Sequence, residues 1–263
     1  QATIYLPCAR KDALRRLAQA HLSQDNPFCI QQAQTWITEK IQREQELLRD
    51  LQTRPHHGGH QIHESLAQLE QRRCQLKKTV SDLATLRGIE GQAAVAAFNG
   101  IASILPASLN FRERNRNPPR DPYNVALSLG YTLLHHDMVR QIHLTGLDPY
   151  IGYYHNLTHG RESLACDLIE PLRPLITAWA IELFREHTLR PEDFTMQGDA
   201  CHMGKAARAR YYPAFENALK TWQGEMRERC VALLRALGNA CFNHPQTRNC
   251  AAAFLEEEAL LTL

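Results

Sequence analysis

The sequence predicts an all-α protein, a bundle of helices, on two observations. Apolar residues recur every three or four positions in two long polar segments, residues 27–51 and residues 62–86, which is the pattern of a helix with one buried face. Residues 89–104 are rich in alanine, and such small side chains let helices pack closely. We expect the bundle to be completed by helices over residues 122–144, 162–187 and 205–241.

Turn and capping residues predict where these helices begin and end. The first long helix is expected to start at Asp25-Asn26-Pro27, because proline is tolerated in a first turn. The loop at residues 55–60 separates it from the second helix, and we expect the two to form an antiparallel hairpin. Residues 146–149 predict a turn, and residues 150–154 an extended or irregular segment. A short strand is expected at residues 4–6.

The organisation predicted from this pattern is one domain. No repeat of fixed period and no linker interrupts the chain, so residues 9–263 are expected to form a single α-helical unit, preceded by a strand-like stub at residues 1–8. The chain begins with Gln1 rather than methionine. We therefore expect it to be part of a longer protein.

The composition predicts a globular protein of a reducing compartment. Charged residues make up 22% and apolar residues 44% of the chain, which excludes a disordered protein. Its eight cysteines include no C-x-x-C pair, which argues against a zinc ribbon or a disulfide framework. No apolar run is long enough to span a bilayer. A cytoplasmic location without membrane association is expected.

The basic residues are unusual in kind rather than in number. The net charge is only +2, yet lysine stands at six positions, so 24 of the 30 basic residues are arginine. Arginine binds phosphate oxygens in a bidentate way that lysine cannot. Codon bias in a GC-rich genome explains the total better. The clustering of arginines is therefore more informative than their number.

Two carboxylates and a histidine are the main candidates for catalysis. Asp167 and Glu170 are three residues apart, which places them on one face of a helix. Apolar neighbours suggest that at least one of these acids lies near the core, where a cation would be needed to offset their repulsion. Together with His155 they make a plausible manganese or magnesium site. The alternatives are two surface acids and a histidine that serves only in packing.

Two further segments carry candidate residues. Glu90 is expected at the start of the alanine-rich helix, where it either binds a metal or simply stabilises the helix dipole. Four arginines lie within residues 112–120, on a proline-rich loop. Such a loop is either a phosphate clamp or a solvated surface segment. The chain contains no P-loop, G-x-G-x-x-G, G-x-S-x-G or H-E-x-x-H motif, which disfavours the common nucleotide, dinucleotide, serine-hydrolase and zinc-protease classes.

In their residues and in their order along the chain, these segments resemble the CRISPR-associated Cas-one integrase family. The similarity is dense over residues 88–174 and thinner on either side. It rests on GIEG at 88–91, Phe111, RNRNPPRDPYN at 114–124, LSLGYTLL at 127–134, GLDPYIG at 146–152, His155 and GRESLACDLIEPLRP at 160–174.

The resemblance implies a catalytic role for several of these residues. Glu90, His155 and Glu170 would hold a divalent metal, Mg²⁺ or Mn²⁺, with Asp167 as a nearby helper. The reaction would be the joining of prespacer 3′-hydroxyl ends to a CRISPR repeat by transesterification. Residues expected to contact the DNA backbone are Arg114, Arg116, Arg120, Arg161 and Lys205.

The resemblance also implies partners and a domain that is largely missing. It implies a homodimer and a complex with the small protein Cas-two. Family members usually begin with a β-rich domain, of which only a remnant strand at residues 1–8 could be present, so dimerisation and partner binding are in question. A fused reverse transcriptase is one possible context. Two alternatives stay open: a DNA-binding or scaffolding fragment without catalysis, and a metal-dependent nuclease of general repair.

Overall fold

The computed structural model of the chain describes residues 13–54, 59–77, 80–243 and 247–254. Within these ranges the protein is helical with a single two-stranded sheet, which confirms the all-α prediction. The strand predicted at residues 4–6, and with it the stub at 1–8, lies outside the described residues. The helices are α1 (Ala13–Leu22), α2 (Asn26–Gln52), α3 (Gly59–Leu76), α4 (Leu83–Ala102), α5 (Pro122–Leu144), α6 (Ser163–Ile169), α7 (Arg173–Arg185) and α8 (Lys205–Asn243).

Three long helices agree closely with the sequence prediction. α2 begins at Asn26, α5 begins at Pro122 and ends at Leu144, and α8 begins at Lys205. The apolar stripe of α2 is buried at Ala33, Ile37, Ile41 and Leu48. Gln45 of α2 donates a hydrogen bond to Glu70 of α3 at 3.0 Å, as expected of residues placed symmetrically about the loop of an antiparallel pair.

The prediction for the second and third helices was wrong at their common boundary. α3 ends at Leu76 instead of continuing to residue 86, and α4 begins at Leu83 instead of residue 89. The reason is a cap: the Asp82 carboxylate accepts the Thr85 N–H at 2.7 Å, which satisfies an amide that the first turn leaves without a partner. Glu90 therefore lies in the interior of α4, and its interpretation as a capping residue is also wrong.

The helix predicted over residues 162–187 is interrupted. α6 ends at Ile169, a 3₁₀ turn covers Glu170–Leu172, and α7 starts at Arg173. Pro171 and Pro174 have no N–H to continue an α-helical ladder, and they clash with the preceding turn. Glu170 directly follows α6 in a right-handed helical conformation, and its N–H donates to the carbonyl of Asp167, so the two acids lie one turn apart although the α-helix does not continue.

Two described elements were not predicted from the sequence. α1 is a helix of ten residues whose buried face, Arg15, Ala18, Gln19 and Leu22, contains two polar side chains, so its packing does not follow its apolar residues. The strands β1 (Phe194–Gln197) and β2 (Ala200–Met203) form an antiparallel hairpin in which Gln197 pairs with Ala200. Its two-residue turn begins at Gly198, whose φ of 59° favours glycine. Further 3₁₀ turns cover Ala107–Leu109, Pro191–Asp193 and Arg248–Phe254.

The chain divides into two compact units, and each has its own core. The first unit contains the described residues of Gln1–Thr35, Leu134–Glu170 and Lys220–Leu263. Its core includes Ala18, Leu22, Met138, Ile142, Tyr154, Leu164, Leu168, Met226, Cys230 and Leu234.

The second unit contains Trp36–Leu133 and Pro171–Leu219. Alanines of α4 are buried in it, as the composition of that segment predicts: Ala93, Ala96 and Ala97 are at most 3% exposed. A Cβ atom on Gly100 would lie 3.0 Å from a methyl group of Leu48 and 3.1 Å from Cβ of Ser65. Glycine at this position therefore lets α4 approach α2 and α3 closely.

No helix in the described ranges is long and apolar enough to cross a membrane. The seven cysteines within these ranges are free thiols.

Candidate active site

The segment before His155 is irregular, and one buried carboxylate holds it. Asp167 of α6 is fully buried. Its Oδ2 accepts the N–H groups of Tyr153 at 2.7 Å and Tyr154 at 3.0 Å, and its Oδ1 accepts the N–H of His155 at 2.9 Å. Three consecutive amides that no helix or sheet satisfies are thus bound by a single side chain, which offsets the cost of burying both the amides and the charge.

The same carboxylate orients the imidazole of His155. Nδ1 of the ring lies 2.7 Å from Oδ1 of Asp167, and because an ionised carboxylate only accepts, Nδ1 carries the proton. The lone pair is then on Nε2, on the opposite side of the ring. The His155 side chain is 20% exposed and that of Asp167 is 0% exposed. A carboxylate that fixes a histidine in this tautomer is the usual support of a metal-binding imidazole.

Gly152 provides the space for this arrangement. A Cβ atom at this position would lie 2.7 Å from Oδ2 of Asp167 and 2.8 Å from the carbonyl carbon and Cβ of Ser163. No side chain fits there without moving the backbone. Tyr153, next in the chain, is buried with its ring 5.3 Å from that of Phe28, and burial raises the pKa of its hydroxyl well above the usual value.

Glu170 lies close in sequence to this centre and is buried. It is 4% exposed and begins the 3₁₀ turn, where its backbone N–H donates to the carbonyl of Asp167. Burial of an ionised carboxylate is favourable only where a cation or hydrogen bonds compensate for lost hydration. Glu170 therefore keeps the chemical requirements of a metal ligand.

Glu90 belongs to the second unit, whereas His155, Asp167 and Glu170 belong to the first. The carboxylate of Glu90 forms an ion pair with Lys40 of α2, whose side chain is only 6% exposed. The sequence analysis did not single out Lys40, because one lysine on a long amphipathic helix is normally solvated.

The structure thus brings together two of the four predicted catalytic residues, His155 and Asp167. Within the described ranges, no group of three or more His, Cys, Asp or Glu side chains is placed to hold a metal ion. A complete ligand set needs at least one donor beyond His155 and Glu170, and Glu90 remains the one that the sequence predicts.

The arginine-rich loop is held from inside by one of its own arginines. Arg114 donates to the carbonyl of Asn115, to Oδ1 of Asn124 at 2.7 Å and to Oγ of Ser128 at 3.0 Å. Its guanidinium also lies 5.5 Å from the ring centre of Tyr131, and burial lowers the pKa of Arg114 from its usual value. These contacts point Arg114 into the protein, where it supports the loop.

Asn124, at the start of α5, completes this support. Its amide donates to the carbonyl of Glu113 at 2.9 Å and to the carboxylate of Asp121 at 2.6 Å, and its backbone N–H donates to Asp121 at 2.8 Å. Burial raises the pKa of Asp121, and the hydrogen bonds from Asn124 oppose that rise. The sequence analysis did not identify Asn124 as a separate candidate, since its many partners are visible only once the loop is folded.

The other residues predicted to contact DNA are exposed. Arg116 and Arg120 lie on the surface of the same loop, Lys205 is the exposed first residue of α8, and Arg161 is exposed just before α6. The backbone N–H of Arg120 donates to Oδ1 of Asn115 at 2.8 Å, so the loop, and not the arginine side chain, is fixed there.

Comparison with known proteins assigns the class. The family model for CRISPR associated protein Cas1 matches residues 2–217. CRISPR-associated endonuclease Cas1 1 of Thermodesulfovibrio yellowstonii is 35% identical over 206 residues, which are 76% of this chain and 65% of that protein. CRISPR-associated endonuclease Cas1 3 of Thermus thermophilus is 35% identical over 220 residues, 83% of this chain and 61% of the relative. The chain spans less than two thirds of the length of these relatives.

Solved structures show the same fold. A partial Cas6-RT-Cas1–Cas2 complex superimposes with a TM-score of 0.79 at 24% identity, covering 90% of this chain and 74% of the other. A casposase bound to its integration product gives a TM-score of 0.71 at 21% identity, covering 97% and 72%.

Fold and sequence together place the protein among the CRISPR-associated proteins. Within that class, the chain belongs to the Cas1 family, the Cas-one family of the sequence analysis.

Proposed function

We propose that this chain is the catalytic part of a divalent-metal-dependent DNA integrase and endonuclease, which joins prespacer 3′-hydroxyl ends to a CRISPR repeat. The observation that supports this most is the pair formed by His155 and Asp167. A fully buried aspartate satisfies three backbone amides and also fixes the tautomer of a partly exposed histidine. A histidine that served only in packing would not need its Nε2 lone pair directed away from its buried partner.

The residues present fit Mg²⁺ or Mn²⁺ by the chemistry of their donors. Imidazole nitrogen and carboxylate oxygens are ligands that Mn²⁺ accepts, and Mg²⁺ takes carboxylates. His155 and Glu170 would hold the ion, Glu90 is the third predicted ligand, and Asp167 would position His155 without ligating. When bound, the ion would stabilise negative charge on a phosphate and favour ionisation of the attacking hydroxyl.

The proposed reaction is a transesterification. The 3′-oxygen of the incoming DNA forms a bond to the phosphorus of a phosphodiester at the edge of the repeat, and the bond from that phosphorus to the 3′-oxygen of the repeat strand breaks. The attacking hydroxyl releases its proton, and the leaving 3′-oxygen takes up a proton from solvent. No net phosphodiester bond is lost, so the protein needs to provide position and charge rather than a chemical energy source.

DNA would be held by the exposed cations rather than by the overall charge. Arg116 and Arg120 on one loop, Arg161 before α6 and Lys205 at the start of α8 are all exposed. Contacts of this kind bind phosphates and set the register of the duplex without selecting sequence.

The proposal extends to partners. We expect a homodimer that binds Cas2, and we expect prespacer and repeat DNA as substrates. The likeness to a chain of a partial Cas6-RT-Cas1–Cas2 complex supports Cas2 as a partner, and it supports a fused reverse transcriptase as one context.

The test is a strand-transfer assay with a labelled 3′-hydroxyl duplex, a supercoiled plasmid bearing a CRISPR array, and Mn²⁺. We expect His155→Ala and Glu170→Gln to lose about 100-fold or more of the joining activity, because loss of one ligand removes most of the metal affinity. His159→Ala is the matched control, since it changes an exposed histidine four residues further along the same segment. Joining at the repeat boundary should be unchanged in this control.

Two outcomes would contradict the proposal. Wild-type joining by His155→Ala and Glu170→Gln would show that the metal site is elsewhere. Absence of joining by the wild type, with DNA binding that is sensitive to salt but not to metal, would favour a DNA-binding or scaffolding role.

A further inference from the structure

A glutamine of α1 forms hydrogen bonds with the turn that leads to His155. Gln19 is fully buried. Its Nε2 donates to the carbonyls of Asp148 and Ile151, both at 2.7 Å, and its Oε1 accepts the N–H of Asp148 at 2.9 Å. One side-chain amide therefore satisfies three backbone groups of residues 148–151, as a neighbouring strand would in a sheet.

The turn that Gln19 contacts, residues 148–151, leads directly into residues 153–155, whose N–H groups donate to Asp167. Residue 151 is followed directly by Gly152 and the three amides that donate to Asp167. The carbonyl of Pro149 accepts the N–H of Leu164 at 2.9 Å, so the turn is also tied to the start of α6. Residues 148–155 are fixed at one end by Gln19 and at the other by Asp167, and His155 is the last residue of this stretch.

Only an amide suits the position of Gln19. Glutamate has the same length and could accept from Asp148, but its carboxylate cannot donate, and it would place a negative charge against two carbonyl oxygens. Methionine has a similar length and would remove the partner of the Ile151 carbonyl and of the Asp148 N–H, while the Asp148 carbonyl would keep only the N–H of Ile151 at 3.3 Å. Either substitution therefore leaves poorly hydrated backbone groups with fewer hydrogen bonds, which destabilises the turn.

We infer that Gln19 is a positioning residue for the metal site: by fixing the backbone of residues 148–151, it sets where the His155 imidazole lies and so sets the affinity of the site for divalent cations. This inference rests on the proposed function, because it assigns to His155 the role of a ligand. Gln19 itself touches neither substrate nor metal.

A neighbouring side chain shows that the contact is specific to this turn. Arg15, one helical turn before Gln19, is also buried, and it donates to the carbonyls of Thr145 at 3.0 Å and Ala253 at 2.8 Å. Arg15 therefore ties α1 to the end of α5 and to the 3₁₀ segment Arg248–Phe254. Gln19 contacts residues 148–151, which lead directly to His155.

The experiment compares Gln19→Glu and Gln19→Met with Gln31→Met, which changes an exposed glutamine of the same unit on α2. The first readout is amide hydrogen exchange of the metal-free protein. We expect exchange at residues 148–155 to become about tenfold faster or more in both Gln19 variants. The rest of the unit should exchange as in the wild type.

The second readout is the Mn²⁺ concentration that gives half-maximal strand transfer. We expect it to rise about tenfold or more in the Gln19 variants, the range seen when a residue behind a metal ligand is lost. The rate at saturating Mn²⁺ should return close to that of the wild type. A merely structural role would instead lower the maximal rate with the fraction of folded protein and leave the Mn²⁺ requirement unchanged.

The outcomes separate this inference from the proposed function. Wild-type exchange at residues 148–155, or faster exchange throughout the unit, would overturn the role of Gln19. An unchanged Mn²⁺ requirement in well-folded Gln19→Glu would do the same. If instead His155→Ala joined DNA as the wild type does, the proposed function would fail, whatever the exchange of the Gln19 variants.

Discussion

The His155 segment, residues 148–155, and the arginine loop, residues 112–121, solve the same problem with opposite charges. Both are irregular, so their backbone groups lack the partners that a helix provides. In the first, a buried anion, Asp167, accepts N–H groups from the backbone. In the second, a partly buried cation, Arg114, donates to a backbone carbonyl and to the side chains of Asn124 and Ser128.

The difference teaches which charged residues are available for chemistry. For each segment, an inward-facing charge holds the backbone in place: Asp167 for the first and Arg114 for the second. A neighbouring residue, His155 or Arg116, is then available to bind a ligand. Residue type alone does not distinguish the two roles. Substitution of the inward charge should therefore disturb the fold and the site together, whereas substitution of the outward residue should disturb only the site.

The largest effect is expected for Asp167→Asn. Each oxygen of Asp167 accepts two hydrogen bonds. Replacing either oxygen with the NH₂ group of asparagine would place a hydrogen-bond donor against two N–H donors, and both hydrogen bonds would be lost. We expect a loss of about 3 kcal/mol or more in the free energy of unfolding, measured by urea denaturation, and no detectable strand transfer.

The exposed Asp199→Asn in the hairpin turn is the control for that variant and should match the wild type. The thiol of Cys29 offers an independent readout. Burial, together with the charges of Asp25 and Asp167, raises its pKa to about 11. Cys29 should therefore be alkylated faster in Asp167→Asn. Wild-type stability and Cys29 reactivity in this variant would contradict the role assigned to the buried carboxylate.

A smaller effect is expected for Gly152→Ala. The added methyl group would lie 2.7 Å from Oδ2 of Asp167, and overpacking of this kind costs about 1–3 kcal/mol. DNA-joining activity should fall together with stability, because a shift of Asp167 would displace the imidazole of His155. Gly224→Ala, inside α8 of the same unit with nothing within 4 Å of the new Cβ, should instead stabilise the protein by about 0.5–1 kcal/mol. Equal changes in thermal unfolding for the two alanines would mean that Gly152 is not sterically required.

The smallest effects should separate Arg114 from Arg116. Arg114→Met should destabilise the protein by about 1–2 kcal/mol, and the salt dependence of DNA binding by the folded fraction should be unchanged. Arg116→Met should change stability by less than about 0.5 kcal/mol but reduce the slope of log affinity against log salt by about 1. Filter binding across a salt series and urea denaturation measure both. The reverse pattern would mean that Arg114 is the residue that contacts phosphate.

The fold was predictable wherever the chain gave a local signal. Pro122 gave the start of α5, and helical periodicity gave α2. The differences from the prediction are also local: Asp82 is a typical capping residue that marks the start of α4, and Pro171 with Pro174 accounts for the break within residues 162–187. α1 is different, because its buried face includes the polar residues Arg15 and Gln19, which a pattern of apolar residues does not predict.

The candidate site was predictable in its residue types and not in its contacts. Spacing and apolar context singled out Asp167 and Glu170, with His155 as a further candidate ligand, and suggested two acids on one helix face. The structure assigns Asp167 to three backbone amides instead. That role depends on how residues 152–155 fold back toward α6, and Gln19 reaches the same segment from 129 residues away in the chain. Periodicity and spacing carry no information about contacts of this range.

The four-bond engagement of Asp167 has a consequence for how this sequence can evolve. A glutamate at this position would need room for one more methylene against Gly152, and an asparagine would reverse the polarity of half the contacts. We therefore expect position 167 to tolerate no substitution, and Gly152 to be equally invariant. Among active descendants, residues 152 and 167 should therefore change only together with the loss of the site.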